Sequence, residues 1–224
     1  MRGILAFTPQ GMAWGQKVAQ FWREQGQECL CVTSSTEGEP WGFCALPQGM
    51  NPWLQEQFDK LEAILFVGAL GIAVRAAGPL LKDKKTDPAI LCMDTGGQFV
   101  IPVAGGHLGG ANQLALELSQ AFGMAPVLTT ATDVHHCFAV DLFAKKNGLA
   151  IRDMSLAKEV SAGLLRGETV GVESQFPLPQ ALPQGLELTE TKLGIYIGTQ
   201  QKQPFPKTLW LSPKWLTLGV GCRK

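Results

Sequence analysis

A chain of 224 residues that is 46% hydrophobic can bury a core in one or two domains, which excludes a disordered polypeptide. Its 19 Lys and Arg balance its 19 Asp and Glu, so no whole-molecule field draws in nucleic acid or an anionic membrane, and any anion site must be local. The six cysteines include no C-x-x-C pair and several lie in apolar runs; this favours reduced thiols in a cytoplasmic protein, with a disulfide framework the lesser reading.

The apolar run at residues 4–7 is too short for a signal peptide, and no stretch approaches the roughly 18 apolar residues of a membrane span. Residues 4–7 instead read as a buried strand. Thr8-Pro9-Gln10-Gly11 then turns into a helix carrying Val18, Ala19 and Trp22 on one face. Residues 28–32 form a second strand, 34–49 are mostly loop, and Asn51-Pro52 opens a helix to about Leu61. The most hydrophobic strand, residues 63–67, runs into Gly68-Ala69-Leu70-Gly71 and a helix over 72–81. A charged loop (82–88), a strand (89–93), the turn Asp94-Thr95-Gly96-Gly97 and a strand (99–103) follow. Residues 105–112 then pack four glycines and one of the chain's three histidines ahead of a helix over 111–122 that Gly123 stops. Residues 125–128 are a short strand whose polar end is 129–133.

Alternating strands and helices of this length predict an α/β fold, a mostly parallel sheet with helices on both faces. Ligands of such sheets bind at the carboxyl ends of the strands, where residues 68–71, 105–110 and 129–133 are all expected. Beyond Asp133 the pattern changes: helices over 138–146 and 155–165, short strands at 149–151, 169–173, 193–197 and 208–211, and a polar segment with three prolines at 176–185. The expected organisation is an N-terminal α/β domain over 1–134 and a smaller α/β domain over 135–213. Residues 214–224 read as a strand entering another glycine turn, the stub of a further domain.

Four stretches carry potential chemistry. Gly105, Gly106, Gly109 and Gly110 clear side chains from around His107, whose unperturbed pKa of about 6.5 suits proton transfer near neutrality. Backbone N–H groups at the start of the following helix can meet an anion or an oxyanion, and Asn112 can orient a ligand carbonyl or a water. The plainer reading is a tight turn with His107 at a helix start. Gly68 and Gly71 lack the G-x-G-x-x-G spacing and no P-loop Lys-Ser/Thr follows, which argues against a dinucleotide or NTP site. Arg75 with Lys82, Lys84 and Lys85 makes a cationic edge, either a solvated loop or a surface for carboxylates or phosphates. Thr129, Thr130, Thr132 and Asp133 are either an N-cap and Asx-turn set or a polar cluster in which Asp133 orients His107 or holds a ligand. His135-His136-Cys137 invites a metal reading, but paired zinc spacings are missing and no metal is assigned. There is no G-x-S-x-G elbow for a serine hydrolase.

Four blocks resemble a known family: residues 66–75 (Phe66-Val67-Gly68-Ala69-Leu70-Gly71-Ile72-Ala73-Val74-Arg75), residues 80–89, the run Gly106-His107-Leu108-Gly109-Gly110-Ala111-Asn112, and Thr129-Thr130-Ala131-Thr132-Asp133. In this order they are similar to the cobalt-precorrin-5A hydrolases of anaerobic cobalamin synthesis, the CbiG family. Phe138-Ala139-Val140-Asp141 and residues 161–168 resemble that family's middle domain, and residues 219–224 the opening of its C-terminal domain, which the resemblance implies is missing. His135-His136-Cys137 departs from the family pattern.

The resemblance implies that water opens the δ-lactone of a cobalt-bound corrinoid, that the two-carbon unit leaves as acetaldehyde, and that cobalt arrives within the substrate, with no separate cofactor. On this reading His107 and Asp133 are catalytic. Gly68, Gly71, Arg75, Lys82, Lys85, Gly105, Gly106, Gly109, Gly110, Asn112, Thr129, Thr130 and Thr132 then bind the carboxylate-fringed macrocycle, with the Gly109 and Gly110 amides at the oxyanion. Expected partners are the corrinoid, a separate C-terminal domain or neighbouring pathway enzymes, and a second copy in a homodimer. The competing readings are a corrinoid-binding carrier without turnover and a generic nucleotide-binding α/β protein.

Overall fold

The structure, a computed structural model, describes residues 1–84, 86–106, 109–135 and 137–214. The chain folds as two compact units, Met1–Leu128 and Thr129–Lys224.

The first unit runs β1 (Arg2–Ala6), α1 (Pro9–Glu24), β2 (Cys29–Thr33), β3 (Cys44–Ala45), α2 (Met50–Gln57), β4 (Ala63–Val67), α3 (Leu70–Ala77), β5 (Ala89–Met93), β6 (Phe99–Ala104), α4 (Ala111–Phe122) and β7 (Ala125–Pro126). The strands form one sheet in the order β3-β2-β1-β4-β5-β6-β7. Every neighbouring pair is parallel except β5 and β6, so the mostly parallel sheet predicted from the alternation of elements is present.

Both faces are covered, and the strand pleat assigns the residues to them. Ala63, Leu65 and Val67 of β4 and Ala89, Leu91 and Met93 of β5 join the core beneath α1 and α4. The alternate Ile64, Phe66, Ile90 and Cys92 join the core beneath α2 and α3. All ten residues of these two strands are buried, which is why they read as continuous apolar runs without alternation. Thr8 starts α1 by accepting the Gly11 N–H at 3.1 Å, with Pro9 in the first turn. The helix expected over 72–81 begins earlier and gives way after Ala77 to a 3-10 turn at Gly78–Leu80. Pro79 has no N–H with which to continue an α-helix.

The second unit runs α5 (Ala131–Val134), α6 (Val140–Lys146), β8 (Leu149–Ile151), α7 (Met154–Leu165), β9 (Val170–Ser174), β10 (Leu186–Glu187), β11 (Leu193–Ile197) and β12 (Lys207–Pro213). Its sheet has the order β10-β9-β11-β12-β8, parallel except for β8. Asp153 caps α7 by accepting the Ser155 and Leu156 N–H groups at 2.7 and 3.0 Å. Val170, Val172, Ile195, Ile197, Leu209 and Leu211 pack against α6 and α7. On the opposite face Gly171 and Gly194 leave room for the Phe205 ring, which a Cβ on either would overlap. Thr208 holds the segment bearing that ring, accepting the Phe205 N–H at 3.1 Å and donating to its carbonyl at 2.8 Å.

Residues 129–133, expected as a strand end, do not extend the sheet. Strand β7 stops at Pro126, and Ala131–Val134 is a helical turn in which the Val134 N–H donates to the Thr130 carbonyl at 3.0 Å. Among the described residues no helix is long and apolar enough to cross a membrane.

Candidate functional site

The reversal between β5 and β6 decides where the glycine motifs lie. Ile90 stands opposite Ala104, and Met93 opposite Val100. Asp94 clamps the turn between the strands, its carboxylate accepting the Gly96, Gln98 and Phe99 N–H groups at 2.9, 2.9 and 2.7 Å. The loop after β6 therefore emerges at the amino end of β5. Gly68–Gly71 leaves the carboxyl end of β4, where the Gly68 N–H donates to the Met93 carbonyl at 2.8 Å. The two motifs expected at one edge of the sheet lie at opposite edges, separated by the five-residue length of β4 and β5, roughly 17 Å at the rise of a strand.

At the amino edge, Gly105 has φ +67°, and a Cβ on it would lie 2.8 Å from the Pro88 carbonyl oxygen. Gly110 has φ +93° and stands just ahead of α4. A Cβ on Gly106 would lie 2.9 Å from Asn112 Oδ1. Gly105 is thus pressed on backbone and Gly106 on the Asn112 side chain, and the positive φ of Gly105 and Gly110 is a conformation that favours glycine. The Ala111 and Asn112 N–H groups donate to the Gly105 and Gly106 carbonyls, both at 3.0 Å. These two amides at the helix start are therefore spent inside the loop. Asn112 is buried against Gly106, supporting the loop from beneath. His107, the expected base, lies outside the described residues, as does Lys85.

The same edge carries Lys82. Its Nζ donates to Asp59 Oδ2 at 2.8 Å and its backbone N–H to both carboxylate oxygens of Asp87 at 3.0 Å. Both partners precede strands of the sheet, so the charged loop is organised there as a row of exposed, paired charges. Lys84 is also exposed.

Arg75 is not part of this row. Its Nε curls back along α3 to the Gly71 carbonyl at 3.2 Å, which turns the guanidinium toward the carboxyl edge. There Gly68 packs against Phe7, and the starts of α1 and α3 flank adjacent β1 and β4 from opposite faces. The connection from β1 leads to β2 on one side and that from β4 to β5 on the other, which makes this edge the topological switch point of the unit. Thr8 and Gly11 belong to this crevice, and only the capping signature Thr8-Pro9 signalled them in the sequence. Beneath it, the Cys92 thiol lies 3.4 Å from the Gly68 carbonyl oxygen. Burial, aided by the Asp94 carboxylate, pushes its pKa up to about 11, so it stays a protonated donor.

Thr129, Thr130, Thr132 and Asp133 belong to the second unit. Thr130 and Thr132 shape α5 through their carbonyls, the latter accepting the Cys137 N–H at 2.8 Å; the Asp133 side chain lies outside the described part. His135 and Cys137 line a cavity of about 230 Å³ with Leu164 and Glu168. Among the described residues no cluster of three or more His, Cys, Asp or Glu is placed to hold a metal; His136 lies outside them.

Together these features define a doubly wound α/β protein with a glycine-coil loop at one edge of its first sheet. The family described as cobalamin synthesis G N-terminal matches residues 52–133, and the cobalamin biosynthesis central region matches residues 138–213. The chain belongs to this cobalamin synthesis G (CbiG) family. It is 40% identical over 241 residues to the cobalt-precorrin-5A hydrolase of Priestia megaterium, covering 99% of this chain and 64% of that protein. It is 32% identical over 235 residues to the cobalt-precorrin-5A hydrolase of Salmonella typhimurium, covering 99% and 65%. The chain thus spans a little under two thirds of the length of these relatives. Its fold resembles the crystal structure of a cobalamin biosynthesis protein G homologue from Sulfolobus solfataricus, with a TM-score of 0.58 at 21% identity over 95% of this chain and 60% of that one.

Proposed function

We propose that the chain catalyses opening of the δ-lactone of cobalt-precorrin-5A by water, with loss of the two-carbon unit as acetaldehyde to give cobalt-precorrin-5B, in anaerobic cobalamin biosynthesis. The observation that carries this reading is similarity along 99% of the chain to two proteins that are both named cobalt-precorrin-5A hydrolase. The reaction takes place in the cytoplasm, and cobalt enters with the substrate.

The amino edge of the first sheet suits the reacting lactone. Ester hydrolysis needs an activated water, donors for an oxyanion and a proton for the leaving oxygen. His107 is assigned the base and then the proton donor, and the Gly109 and Gly110 amides the oxyanion; Asp133 belongs to the second unit and is given no step at this edge. Lys82, held at the same edge by Asp59 and Asp87, meets a corrinoid carboxylate. Gly68, Gly71 and Arg75, a strand length away, do not touch the reacting carbonyl and at most contact a distant part of the ligand.

Anaerobic incubation with cobalt-precorrin-5A, following both released acetaldehyde and protein-bound pigment, tests the assignment. Acetaldehyde release that His107→Ala abolishes is the expected result. Bound pigment without aldehyde would replace the hydrolase with a corrinoid carrier, and thermal stabilisation by ATP or NAD but not by corrinoid would point to a nucleotide-binding protein.

A further inference from the structure

The second unit has a switch point of its own. Strands β9 and β11 lie side by side, yet the chain leaves β9 for β10 on one flank and leaves β11 for β12 on the other. Neighbouring parallel strands whose connections diverge leave a crevice outside their carboxyl ends. Here the crevice is an open cavity of about 340 Å³. Ser174 and Ile197, the last residues of the two strands, both line it, together with Phe143 of α6 and Phe176 of the proline-bearing segment after β9.

Hydrogen bonds join the two segments that border the crevice. The Gln175 N–H donates to the Ile197 carbonyl at 2.8 Å, and its side-chain Oε1 accepts from the Thr199 N–H and hydroxyl, both at 2.9 Å. These bonds tie the two diverging connections together at their roots. Pro177 and Pro179 restrict the backbone alongside.

Its chemistry is as specific as its place. None of the described residues that line it is charged, and only two are polar. Asn147 Nδ2 donates to the Phe143 carbonyl at 2.9 Å, and Ser174 Oγ accepts the Phe176 N–H at 3.0 Å. That leaves the Asn147 carbonyl oxygen as an acceptor and the Ser174 hydroxyl as a donor. A carboxylate finds no cationic side chain among these residues, whereas aromatic and proline surfaces suit a flat apolar ring. A volume of this size falls in the range of small-molecule sites, which lie preferentially at such switch points.

We propose that this cavity binds a small neutral ligand bearing an aromatic or heteroaromatic ring with one hydrogen-bonding edge. The site is separate in chemistry from the carboxylate-fringed corrinoid assigned to the first unit, and it holds whether or not that assignment does.

Titration of the full chain with indole, followed by amide NMR, tests it, with indole-3-acetate as the charged counterpart. Indole should give saturable shifts at Phe143, Ser174, Phe176 and Ile197, and indole-3-acetate should bind at least about fivefold more weakly because its carboxylate has no partner. Phe176→Ala should weaken indole by about fivefold through loss of a ring contact, with first-unit amides unmoved. Shifts that do not saturate or that map elsewhere overturn the proposal, as does equal or tighter binding of indole-3-acetate. The comparison of the two probes on the unmodified protein decides the matter even if the variant fails to fold.

Discussion

Gly109 rests directly on the backbone of Gly105: a Cβ on Gly109 would stand 2.6 Å from the Gly105 carbonyl oxygen. That oxygen already accepts the Ala111 N–H at 3.0 Å, so it cannot move aside without releasing the first turn of α4. Gly109→Ala is therefore expected to displace the loop by a fraction of an ångström or more, enough to cost roughly a hundredfold in acetaldehyde release. Melting temperature should change far less, because the loop contributes little to the core. An alanine variant with wild-type turnover would remove the loop from the reaction.

The two edges of the first sheet can be told apart kinetically. Lys82 and Asp59 form an exposed pair worth at most about 1 kcal/mol to stability, so Lys82→Ala should leave the denaturation midpoint nearly unchanged. If Lys82 meets a substrate carboxylate, KM should rise roughly tenfold, the loss of about 1.4 kcal/mol of binding. Arg75→Ala should leave both kcat and KM within about twofold, since its guanidinium faces the opposite edge and transition-state contacts require proximity. Steady-state kinetics on the two variants provides the check, and a larger effect from Arg75 would move the site to the switch point.

Asp94 accepts three backbone N–H groups, so Asp94→Ala leaves the hairpin turn without its clasp. Hydrogen bonds to a charged acceptor contribute about 1.5–3 kcal/mol each when buried, and the partial exposure of this turn reduces that. A net loss of about 2 kcal/mol in urea denaturation is expected, with Asp94→Asn retaining part of it.

Burial raises the pKa of Cys31 and of Cys92 to about 11 from an ordinary 9.0. Between those values the unfolded chain releases thiol protons that the native state keeps, so stability is full below about pH 9 and declines as pH rises toward 11. The slope is about 1.4 kcal/mol per pH unit for each fully shifted thiol. Stability measured at pH 8 and pH 10 should fall less in Cys92→Ala than in the unmodified protein. Exposed Cys44 should react with thiol reagents well before either.

Phe205 fills the space above Gly171 and Gly194 in the second unit. Its removal in Phe205→Ala should cost about 3 kcal/mol or more, as for other buried rings. Hydrogen exchange should accelerate in β9, β11 and β12 while β1 to β6 remain protected. Uniform acceleration in both units would show that they unfold as one.

Much of this architecture was legible because the core strands are short, apolar and bounded by turn residues. Residues 63–67, 89–93, 149–151 and 193–197 match β4, β5, β8 and β11 residue for residue, and 111–122 matches α4. The mostly parallel sheet follows from the alternation of elements, but the reversed direction of β6 does not. The turn Asp94-Thr95-Gly96-Gly97 is too short for a crossover, and parallel neighbours need a connection of a dozen or more residues. A strand paired across such a turn has to run antiparallel, which the alternation rule alone concealed. The polar run 129–133 misled for a different reason: threonines favour strands and helix caps alike, and only tertiary context made it a helical turn. The cavity in the second unit left no periodic signal, because its lining comes from strand ends and a proline segment distant in sequence.

The hairpin reversal has an electrical consequence. Helices α1, α2 and α3 follow or precede strands of one direction and bring their carbonyl termini to the amino edge of the sheet, whereas α4 follows the reversed β6 and brings its amide terminus there. Among the helices of the described first-unit residues, α4 thus brings a positive pole to this edge, less than the usual value of about half an elementary charge because its Ala111 and Asn112 amides already bond the Gly105 and Gly106 carbonyls. Its field is short in reach and partly cancelled by its neighbours, so an anion would be drawn only once it was within the first turn of α4. Selection at this edge is consequently by contact, not by long-range attraction, in a chain whose net charge is zero.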